Sequence, residues 1–351
     1  MPERHAIIDM GSNTVRLVIF EVEGDDIKIA LNKKVMAGLV GYVEEGVLTD
    51  AGIERACEVL TKQLDGISLL DVDSVSVFST AVLRNIANTE DACNRIEAAT
   101  GVHVDVLSGK EEARLGYVGC SGQIEGDRGI VLDIGGGSTE ITVLEPDKDP
   151  QTASLPFGSL FLYLRFVSDI LPTRGEAEMI WKFVDSQVSK LDILGDKGFP
   201  EAIGLGGSAR AIAKLVDEFV GRERTEFVEL DQMNSVIELL SREYRETMHA
   251  ILRICPDRIH TVIPGMLAFE AIMSRAGSET LKISKHGVRE GYLLEKVLGR
   301  DTGGKSKGNS KNKANSKSKV SKSSSSCSKN NGSDSKNSNA SSKSTSNSKK
   351  K

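Results

Sequence analysis

The N-terminal third of the chain alternates between short apolar runs and longer stretches whose apolar residues recur at helical spacing. The short runs predict β-strands at residues 5–10, 15–22, 27–36, 74–79 and 102–107. The longer stretches predict helices at residues 49–64, at about 90–100, and from Ser108 onward. Gly24 and the two aspartates after it are typical of a hairpin turn. This part of the chain should therefore begin as an antiparallel meander and continue with alternating helices and strands.

The same order of elements starts again at residue 130. A strand at 130–134, a turn of three glycines and a returning strand at 138–144 are followed by predicted strands at 202–205 and 280–284. Helical spacing predicts helices at 159–167, 174–191, 230–245, 256–276 and 288–298. This succession of strands and helices is typical of an α/β protein.

Two segments share one pattern, an apolar strand that ends in aspartate and is followed by a glycine turn and a second strand. One surrounds Asp9 and the other surrounds Asp133. This weak internal repeat predicts two similar halves that face each other, with both aspartate–glycine turns at the cleft between them.

The composition separates an acidic body from a basic tail. Residues 301–351 hold 13 Lys, no Arg and 2 Asp, so residues 1–300 keep 45 − 13 = 32 basic and 50 − 2 = 48 acidic residues. The body therefore has a net charge of −16 and the tail of +11. Ser, Lys and Asn dominate the tail, which predicts disorder; such a tail either is solvated or binds polyanions weakly.

The apolar runs and the cysteines exclude several classes of protein. No run of about 18 apolar residues occurs, so no membrane span is expected. The five cysteines are scattered without a Cys-x-x-Cys pair, so a disulfide framework and a thiolate zinc site are not expected. Both observations favour a cytoplasmic protein.

Polar turns follow four of the predicted strands, and three of these turns are rich in glycine. Consecutive backbone N–H groups in such turns can surround phosphate oxygens, and nearby hydroxyls add further donors. A single turn of this kind is usually only a tight connection, but four in two matched halves favour an anion site. The candidate phosphate-binding residues in these turns are Gly11, Ser12, Asn13, Thr80, Gly135, Gly136, Gly137, Ser138, Gly207 and Ser208.

Several acidic residues lie beside these turns. Asp133 and Glu140, together with Asp9, are candidate ligands of Mg²⁺, although an aspartate at a strand end also commonly caps a turn. Glu111 lies three residues after Ser108, where it fits a capping box, and this leaves Glu112 without a capping role. A free carboxylate at a cleft can take a proton from water, and Arg84 or Arg114 could neutralise charge there.

Five motifs follow one another in the order found in the exopolyphosphatase / guanosine pentaphosphate phosphatase (Ppx/GppA) family, which the chain resembles over about residues 4–298. They are Asp9-Met-Gly-Ser-Asn, Ser79-Thr-Ala-Val-Leu-Arg84, Ser108-Gly-Lys-Glu-Glu-Ala-Arg114, Asp133-Ile-Gly-Gly-Gly-Ser-Thr-Glu140 and Gly206-Gly-Ser208.

The resemblance implies an α/β fold of two actin-like lobes around a cleft, at residues 1–123 and 124–300, with the last helix packed back on the first lobe. It implies that Glu112 is the general base and that Asn13, Arg84, Ser138 and the glycine turns hold phosphates. It further implies Mg²⁺ on Asp133 and Glu140, a monovalent cation as a second cofactor, and a homodimer.

The implied reaction is hydrolysis of the terminal phosphoanhydride of inorganic polyphosphate, with guanosine pentaphosphate as the alternative substrate. Both end in a phosphoanhydride, so no motif separates them. A kinase of the same two-lobed superfamily and a non-catalytic phosphate sensor are competing hypotheses from different functional classes. The Glu-Glu-Ala-Arg motif argues against the kinase, and the presence of Glu112 argues against the sensor.

Overall fold

Strands alternate with helices along the chain, in the order that the apolar runs predict. The structure, a computed structural model, describes residues 2–126, 128–195, 198–221 and 226–300. The strands in this part are β1 (Glu3–Met10), β2 (Thr14–Glu23), β3 (Asp26–Met36), β4 (Val43–Glu44), β5 (Val47–Leu48), β6 (Ser74–Ser79), β7 (Val104–Val106), β8 (Gly129–Ile134), β9 (Thr139–Leu144), β10 (Gln151–Leu155), β11 (Glu201–Leu205), β12 (Phe227–Glu229) and β13 (Thr280–Ile283). The α-helices are α1 (Asp50–Ser68), α2 (Ala81–Arg84), α3 (Thr89–Thr100), α4 (Gly109–Cys120), α5 (Ser159–Phe166), α6 (Arg174–Val188), α7 (Gly206–Val220), α8 (Leu230–Arg242), α9 (Tyr244–Ile254), α10 (Val262–Ala276) and α11 (Val288–Tyr292).

Two sheets have the same plan. The first has the order β3-β2-β1-β6-β7, and the second has the order β10-β9-β8-β11-β13-β12. In each, one leading strand, β1 or β8, pairs antiparallel with the strand that follows it and parallel with a later strand on its other side. The α/β class and the two matching halves predicted from the repeat are therefore confirmed.

The leading strands are buried because they are apolar on both faces. Ala6, Ile7 and Ile8 in β1 have no exposed surface, and neither do Ile130 and Leu132 in β8. Parallel neighbours and helices on both faces require such continuous apolar runs, whereas an edge strand does not. The aspartate near the end of each leading strand therefore lies in an equivalent position, at the carboxyl end of a central strand of its sheet.

Helix α4 lies between the two halves. It packs on the second sheet, where the Thr142 hydroxyl donates to the carbonyl of Ala113 at 3.3 Å. Its Leu115 is buried with residues of the first sheet, including Ile7 and Phe78. A capping box fixes the start of this helix, because the Ser108 hydroxyl accepts from the Glu111 N–H and the Glu111 carboxylate accepts from the Ser108 N–H.

The last helical segment packs on the first sheet. The Tyr292 ring stacks on Phe78 with ring centroids 4.9 Å apart, and Leu293 is buried beside Ile7 and Val18. Where α11 crosses α4 the two backbones touch at glycines, since a Cβ on Gly291 would lie 1.9 Å from the Leu115 carbonyl oxygen. The assignment of residues 1–123 and 124–300 to separate lobes stays a prediction.

Some element boundaries differ from those predicted. The predicted helix 230–245 is α8, and a separate helix, α9, follows it; the helix predicted at 256–276 starts only at Val262. The predicted helix 288–298 is α11 followed by a π-helical turn at Leu293–Val297. Strand β10 was not predicted because Gln, Thr, Ala and Ser at an edge give no apolar run.

No helix in the described ranges is long and apolar enough to cross a membrane. The prediction of a disordered, polyanion-binding tail concerns residues 301–351, which lie outside those ranges.

Candidate active site

One cavity, which we call the cleft, is lined by residues of all four polar turns, three of which contain glycine. Its volume is about 170 Å³, well above the roughly 10–15 Å³ that a single water requires, so a phosphoryl group and a water can fit together. The predicted site residues that line it are Asp9, Gly11, Ser12, Asn13, Thr80, Glu112, Asp133, Gly135, Gly136, Gly137, Ser138, Gly207 and Ser208. The structure therefore brings together turns that are far apart in the sequence.

The two aspartate–glycine turns have the same backbone geometry. The Gly11 N–H donates to the Thr14 carbonyl at 3.0 Å, and the Gly135 N–H donates to the Ser138 carbonyl at 3.0 Å. The turns also touch, because a Cβ on Gly137 would lie 3.0 Å from the Ser12 hydroxyl. The internal repeat thus places its two copies opposite each other at the cleft.

The turn that begins at Gly206 leads directly into α7, and its first position favours glycine. Gly206 has φ of +79°, and a Cβ there would lie 2.6 Å from a carboxylate oxygen of Asp133. A Cβ on Gly207 would lie 2.0 Å from Nη2 of Arg258. The backbone of this turn therefore lies close to both an acid and a cation of the cleft, and a Cβ at Gly207 would displace the flexible end of Arg258.

Glu112 reaches the cleft from the first turn of α4. Because Glu111 makes the capping box, the Glu112 side chain is free to point inward, and it is only 10% exposed. Its Oε2 accepts a hydrogen bond from Arg84 Nη1 at 2.6 Å. Burial raises the pKa of Glu112 to about 7, against the opposing effect of the Arg84 charge.

Arg84 and Glu140 lie next to Glu112 but are not among the residues that line the cleft. Arg84 Nη2 is 3.5 Å from Glu140 Oε1, so one guanidinium faces two carboxylates. Burial raises the pKa of Glu140 well above its ordinary value, and the nearby charges of Glu112 and Asp133 raise it further. The predicted contact of Arg84 with phosphate stays a prediction, since its nearest charged partners here are acids.

The acids opposite each other on β8 and β9 fit a magnesium ion. Asp133 and Glu140 are paired across the two strands, and Oε2 of Glu140 is buried with no hydrogen-bond partner. In the described part of the chain no cluster of three or more acidic, His or Cys side chains could hold a metal. Mg²⁺ usually takes only one or two carboxylates and completes its shell with water and substrate phosphates, so a pair suffices.

Asp9 lies in a different environment from Asp133. Arg289 Nε is 3.9 Å from its carboxylate, and Arg16 is its cross-strand partner. Burial nevertheless raises the pKa of Asp9 above its usual range. The role of Asp9 as a metal ligand therefore stays a prediction. In that role its carboxylate would contact both the metal ion and an arginine.

Four arginines line the part of the cleft around Asp9 and Asp133, and the sequence did not single them out for a role. They are Arg16, Arg210, Arg258 and Arg289. Burial and the repulsion of the neighbouring arginines lower the pKa of Arg16 to about 10, and Nη1 of Arg289 is buried with no hydrogen-bond partner. A buried, unpaired guanidinium nitrogen is costly unless an anion meets it.

A weak sequence signal did exist for two of these arginines. Arg210 follows the Gly206–Ser208 turn by two residues, and Arg289 lies between Gly287 and Gly291 at the start of α11. Both therefore sit near the start of a helix that begins at or directly after a glycine, and anions are commonly bound at helix N-termini.

The raised pKa of Glu112 predicts a pH-dependent stability. A buried acid whose pKa rises on folding stabilises the protein below its unfolded pKa, and this contribution is lost as pH rises through the folded pKa. From about pH 5.5 to about pH 8.5 we expect the wild type to lose about 2 kcal/mol relative to Glu112→Gln, in the presence of EDTA and without phosphate. Urea unfolding of both proteins across this range measures the difference.

The matched control for this titration is Glu111→Gln. Glu111 is partly exposed, and its helix-capping hydrogen bonds lower its pKa, so it is ionised in the folded protein throughout this pH range. The difference in stability between the wild type and Glu111→Gln should therefore not change from about pH 5.5 to about pH 8.5. A wild-type-minus-Glu112→Gln difference that stays constant with pH would show that Glu112 is ionised in the folded protein throughout.

The chain is similar to phosphatases of known family. Residues 18–300 match the sequence profile of the Ppx/GppA phosphatase family. Exopolyphosphatase 1 of Mycobacterium leprae is 27% identical over 308 residues, which cover 84% of this chain and 89% of that protein. The solved structure of an Aquifex aeolicus Ppx/GppA family member is 25% identical with a TM-score of 0.71, covering 85% of this chain and 99% of that one. An exopolyphosphatase structure from Cytophaga hutchinsonii has a TM-score of 0.76 at 22% identity, covering 86% and 100%, and this likeness concerns the fold.

Proposed function

This chain belongs to the Ppx/GppA phosphatase family, and from that premise we propose that it is an exopolyphosphatase. It would hydrolyse the terminal phosphoanhydride bond of inorganic polyphosphate and release orthophosphate. The observation that most supports this proposal is one cleft in which a buried carboxyl, Glu112, faces three glycine-rich turns and the turn of Thr80. The similarity to proteins described as exopolyphosphatases also supports it.

The turns and arginines would bind the chain end. Backbone N–H groups at Gly136 and Gly207 suit the non-bridging oxygens of the terminal phosphates. The four cleft arginines would meet the phosphates further along the chain, where Arg289 has an unpaired nitrogen. Phosphoryl transfer depends mainly on positioning and charge stabilisation. These phosphate contacts would therefore provide much of the rate enhancement.

Glu112 would act as the general base. In the reaction the water oxygen bonds to the terminal phosphorus, the bond to the bridging oxygen breaks, and the shortened chain leaves with that oxygen. Glu112 takes the proton that water loses, and a pKa of about 7 suits a base at neutral pH. Arg84, which donates to Glu112 at 2.6 Å, fixes the direction of the carboxylate.

Members of this family act with a divalent cation, generally Mg²⁺. Asp133 and Glu140 would hold it, with Asp9 as a further candidate. When bound, the cation neutralises charge on the phosphates and helps to align them. Ser154 donates to Glu140 Oε1 at 2.8 Å, which leaves Oε2 available.

Phosphate release from long polyphosphate, tripolyphosphate and guanosine pentaphosphate tests the proposal directly. With Mg²⁺ we expect orthophosphate from both polyphosphates, and with EDTA we expect release to stop. The same phosphate-binding turns would serve any substrate that ends in a phosphoanhydride. If the protein clearly prefers guanosine pentaphosphate, then that compound and not polyphosphate is its substrate. If it releases phosphate from none of the three compounds, the proposal is overturned.

Three other features stay predictions. They are a homodimer, a monovalent cation as a second cofactor and a cytoplasmic location. Sedimentation of the full chain would test the first, and phosphate release in potassium against tetramethylammonium buffers would test the second.

A further inference from the structure

A second cavity, which we call the rear pocket, borders Arg84, the hydrogen-bond partner of Glu112. It lies between the end of α2, the start of α4 and the edge strand β10, and has a volume of about 370 Å³. Its lining includes Arg84, Asn85, Ser108, Lys110, Ala153 and Ser154. None of these residues lines the cleft.

Arg84 forms the wall between the two cavities. It donates to Glu112, which lines the cleft, while its own exposed surface belongs to the rear pocket. Ser154 also lines the rear pocket, and it donates to Glu140, which lies next to Glu112 but does not line the cleft. Arg84, the side chain between the two cavities, is therefore held by hydrogen bonds and an ion pair.

The guanidinium of Arg84 has donors to spare. Its Nη1 donates to the Leu107 carbonyl at 3.0 Å and to Glu112 at 2.6 Å, which uses both N–H groups of that nitrogen. Nη2 makes only a 3.5 Å approach to Glu140. An arginine offers five N–H donors in a fork that suits phosphate, so up to three remain for a ligand on the rear side.

Lys110 supplies a second cation to the rear pocket. Within the described ranges it has no hydrogen-bond or ion-pair partner, although acids lie nearby at Glu111 and Glu112. The Ser108 and Ser154 hydroxyls donate to Glu111 and Glu140, so Arg84 and Lys110 supply the donors of a lining that carries two positive charges and no carboxylate. Such a lining suits a small, doubly charged anion with tetrahedral oxygens.

We propose that the rear pocket binds orthophosphate and lets the product leave while the shortened polyphosphate remains in the cleft. This inference rests on the proposed function. In the cleft, new orthophosphate occupies the positions that the next terminal phosphate must reach. A phosphate dianion can compete with the two carboxylates for the Arg84 guanidinium, and Lys110 then attracts it outward.

Product inhibition tests the pocket. Release of terminally labelled phosphate from tripolyphosphate is measured with Mg²⁺ and increasing unlabelled orthophosphate, for the wild type and Lys110→Glu. Because the rear pocket is separate from the cleft, orthophosphate should lower kcat as well as raise the apparent KM in the wild type. In Lys110→Glu the effect on kcat should need about tenfold more orthophosphate, with KM for tripolyphosphate unchanged.

Lys190→Glu is the matched control, since Lys190 is exposed on the other half of the protein and the net charge change is the same. Inhibition that raises only the apparent KM in the wild type, or equal inhibition of Lys110→Glu and wild type, would overturn the rear pocket and leave the phosphatase proposal intact. If the wild type has no phosphatase activity, both the rear-pocket proposal and the phosphatase proposal are overturned.

The same pocket could instead hold internal phosphates of a long substrate. Steady-state kinetics with long polyphosphate distinguish product orthophosphate from internal substrate phosphates as the occupant of the pocket. If Lys110→Glu raises KM for long chains and leaves KM for tripolyphosphate unchanged, the pocket binds substrate and the product route is wrong.

Ala153→Trp provides a variant that fills the pocket. Rapid-quench measurements should show an unchanged first turnover and slower later turnovers, because only the departure of orthophosphate is obstructed. Equal first and later turnovers at the wild-type rates would contradict a rear route.

Discussion

Glu112→Gln is expected to lower kcat for phosphate release from polyphosphate by about 10²–10⁴-fold, which is the usual contribution of a general base. The amide has nearly the same shape and still accepts a hydrogen bond from Arg84, but it cannot take a proton from water. KM should change little, because the turns and arginines that hold the phosphates are untouched. Steady-state phosphate release with Mg²⁺ at saturating polyphosphate measures the effect.

Glu111→Gln is the control for this substitution. The two glutamates are neighbours, but Glu111 caps α4 and does not line the cleft. Glutamine at this position can still complete a capping box, so the helix should stay intact. If Glu112→Gln retains more than a tenth of the wild-type kcat, or Glu111→Gln loses as much as Glu112→Gln does, another group activates the water.

Gly291→Ala should destabilise the protein by about 3 kcal/mol, at the upper end of what overpacking usually costs. The new Cβ would lie 1.9 Å from the Leu115 carbonyl oxygen and 2.7 Å from its carbon, and both are backbone atoms of α4. No side chain can move aside there, so α4 and α11 must separate. Thermal unfolding should show a Tm lower by about 5 °C.

The same substitution should also reduce activity in the folded protein. Leu115 is three residues from Glu112 on α4, so a shift of that helix moves the carboxyl relative to the glycine turns. Small misplacements of catalytic groups lower rates strongly. We therefore expect kcat to fall at a temperature where Gly291→Ala is still folded by circular dichroism.

Gly66→Ala is the matched control for the glycine substitution. Gly66 is exposed in α1, and a Cβ there would meet no atom within 4 Å. Alanine should therefore stabilise the helix by about 0.5–1 kcal/mol. A Tm for Gly291→Ala equal to that of the wild type would mean that the helices do not cross as closely as described.

Local sequence was enough to predict the features that depend on near neighbours. The strand–turn units around Asp9 and Asp133 follow from apolar runs that end in aspartate and glycine, and both turns form the same backbone hydrogen bond. The assignment of Glu111 to the capping box and of Glu112 to the cleft follows from a spacing of three residues after Ser108. The order of strands and helices was predictable for the same reason.

Contacts between residues far apart in the chain could not be predicted, because no local sequence pattern indicates them. Arg16 and Arg258 lie in different halves of the chain, and nothing around either one indicates that they face the same cavity. Polar edge strands such as β10 lack the apolar alternation that identifies a strand, yet β10 supplies Ser154 to Glu140. The position of Arg84 between two acids likewise depends on how α2, α4 and β9 pack.

The sequence by itself determined the two matched strand–turn units, the cap of α4 and the free acid beside it, because each depends on residues within a few positions of one another. Tertiary structure alone decided which cations reach the cleft, that Arg84 separates it from a second cavity, and that α4 and α11 touch at glycines. Those arrangements depend on packing between segments far apart in the chain, and such packing leaves no period in the sequence.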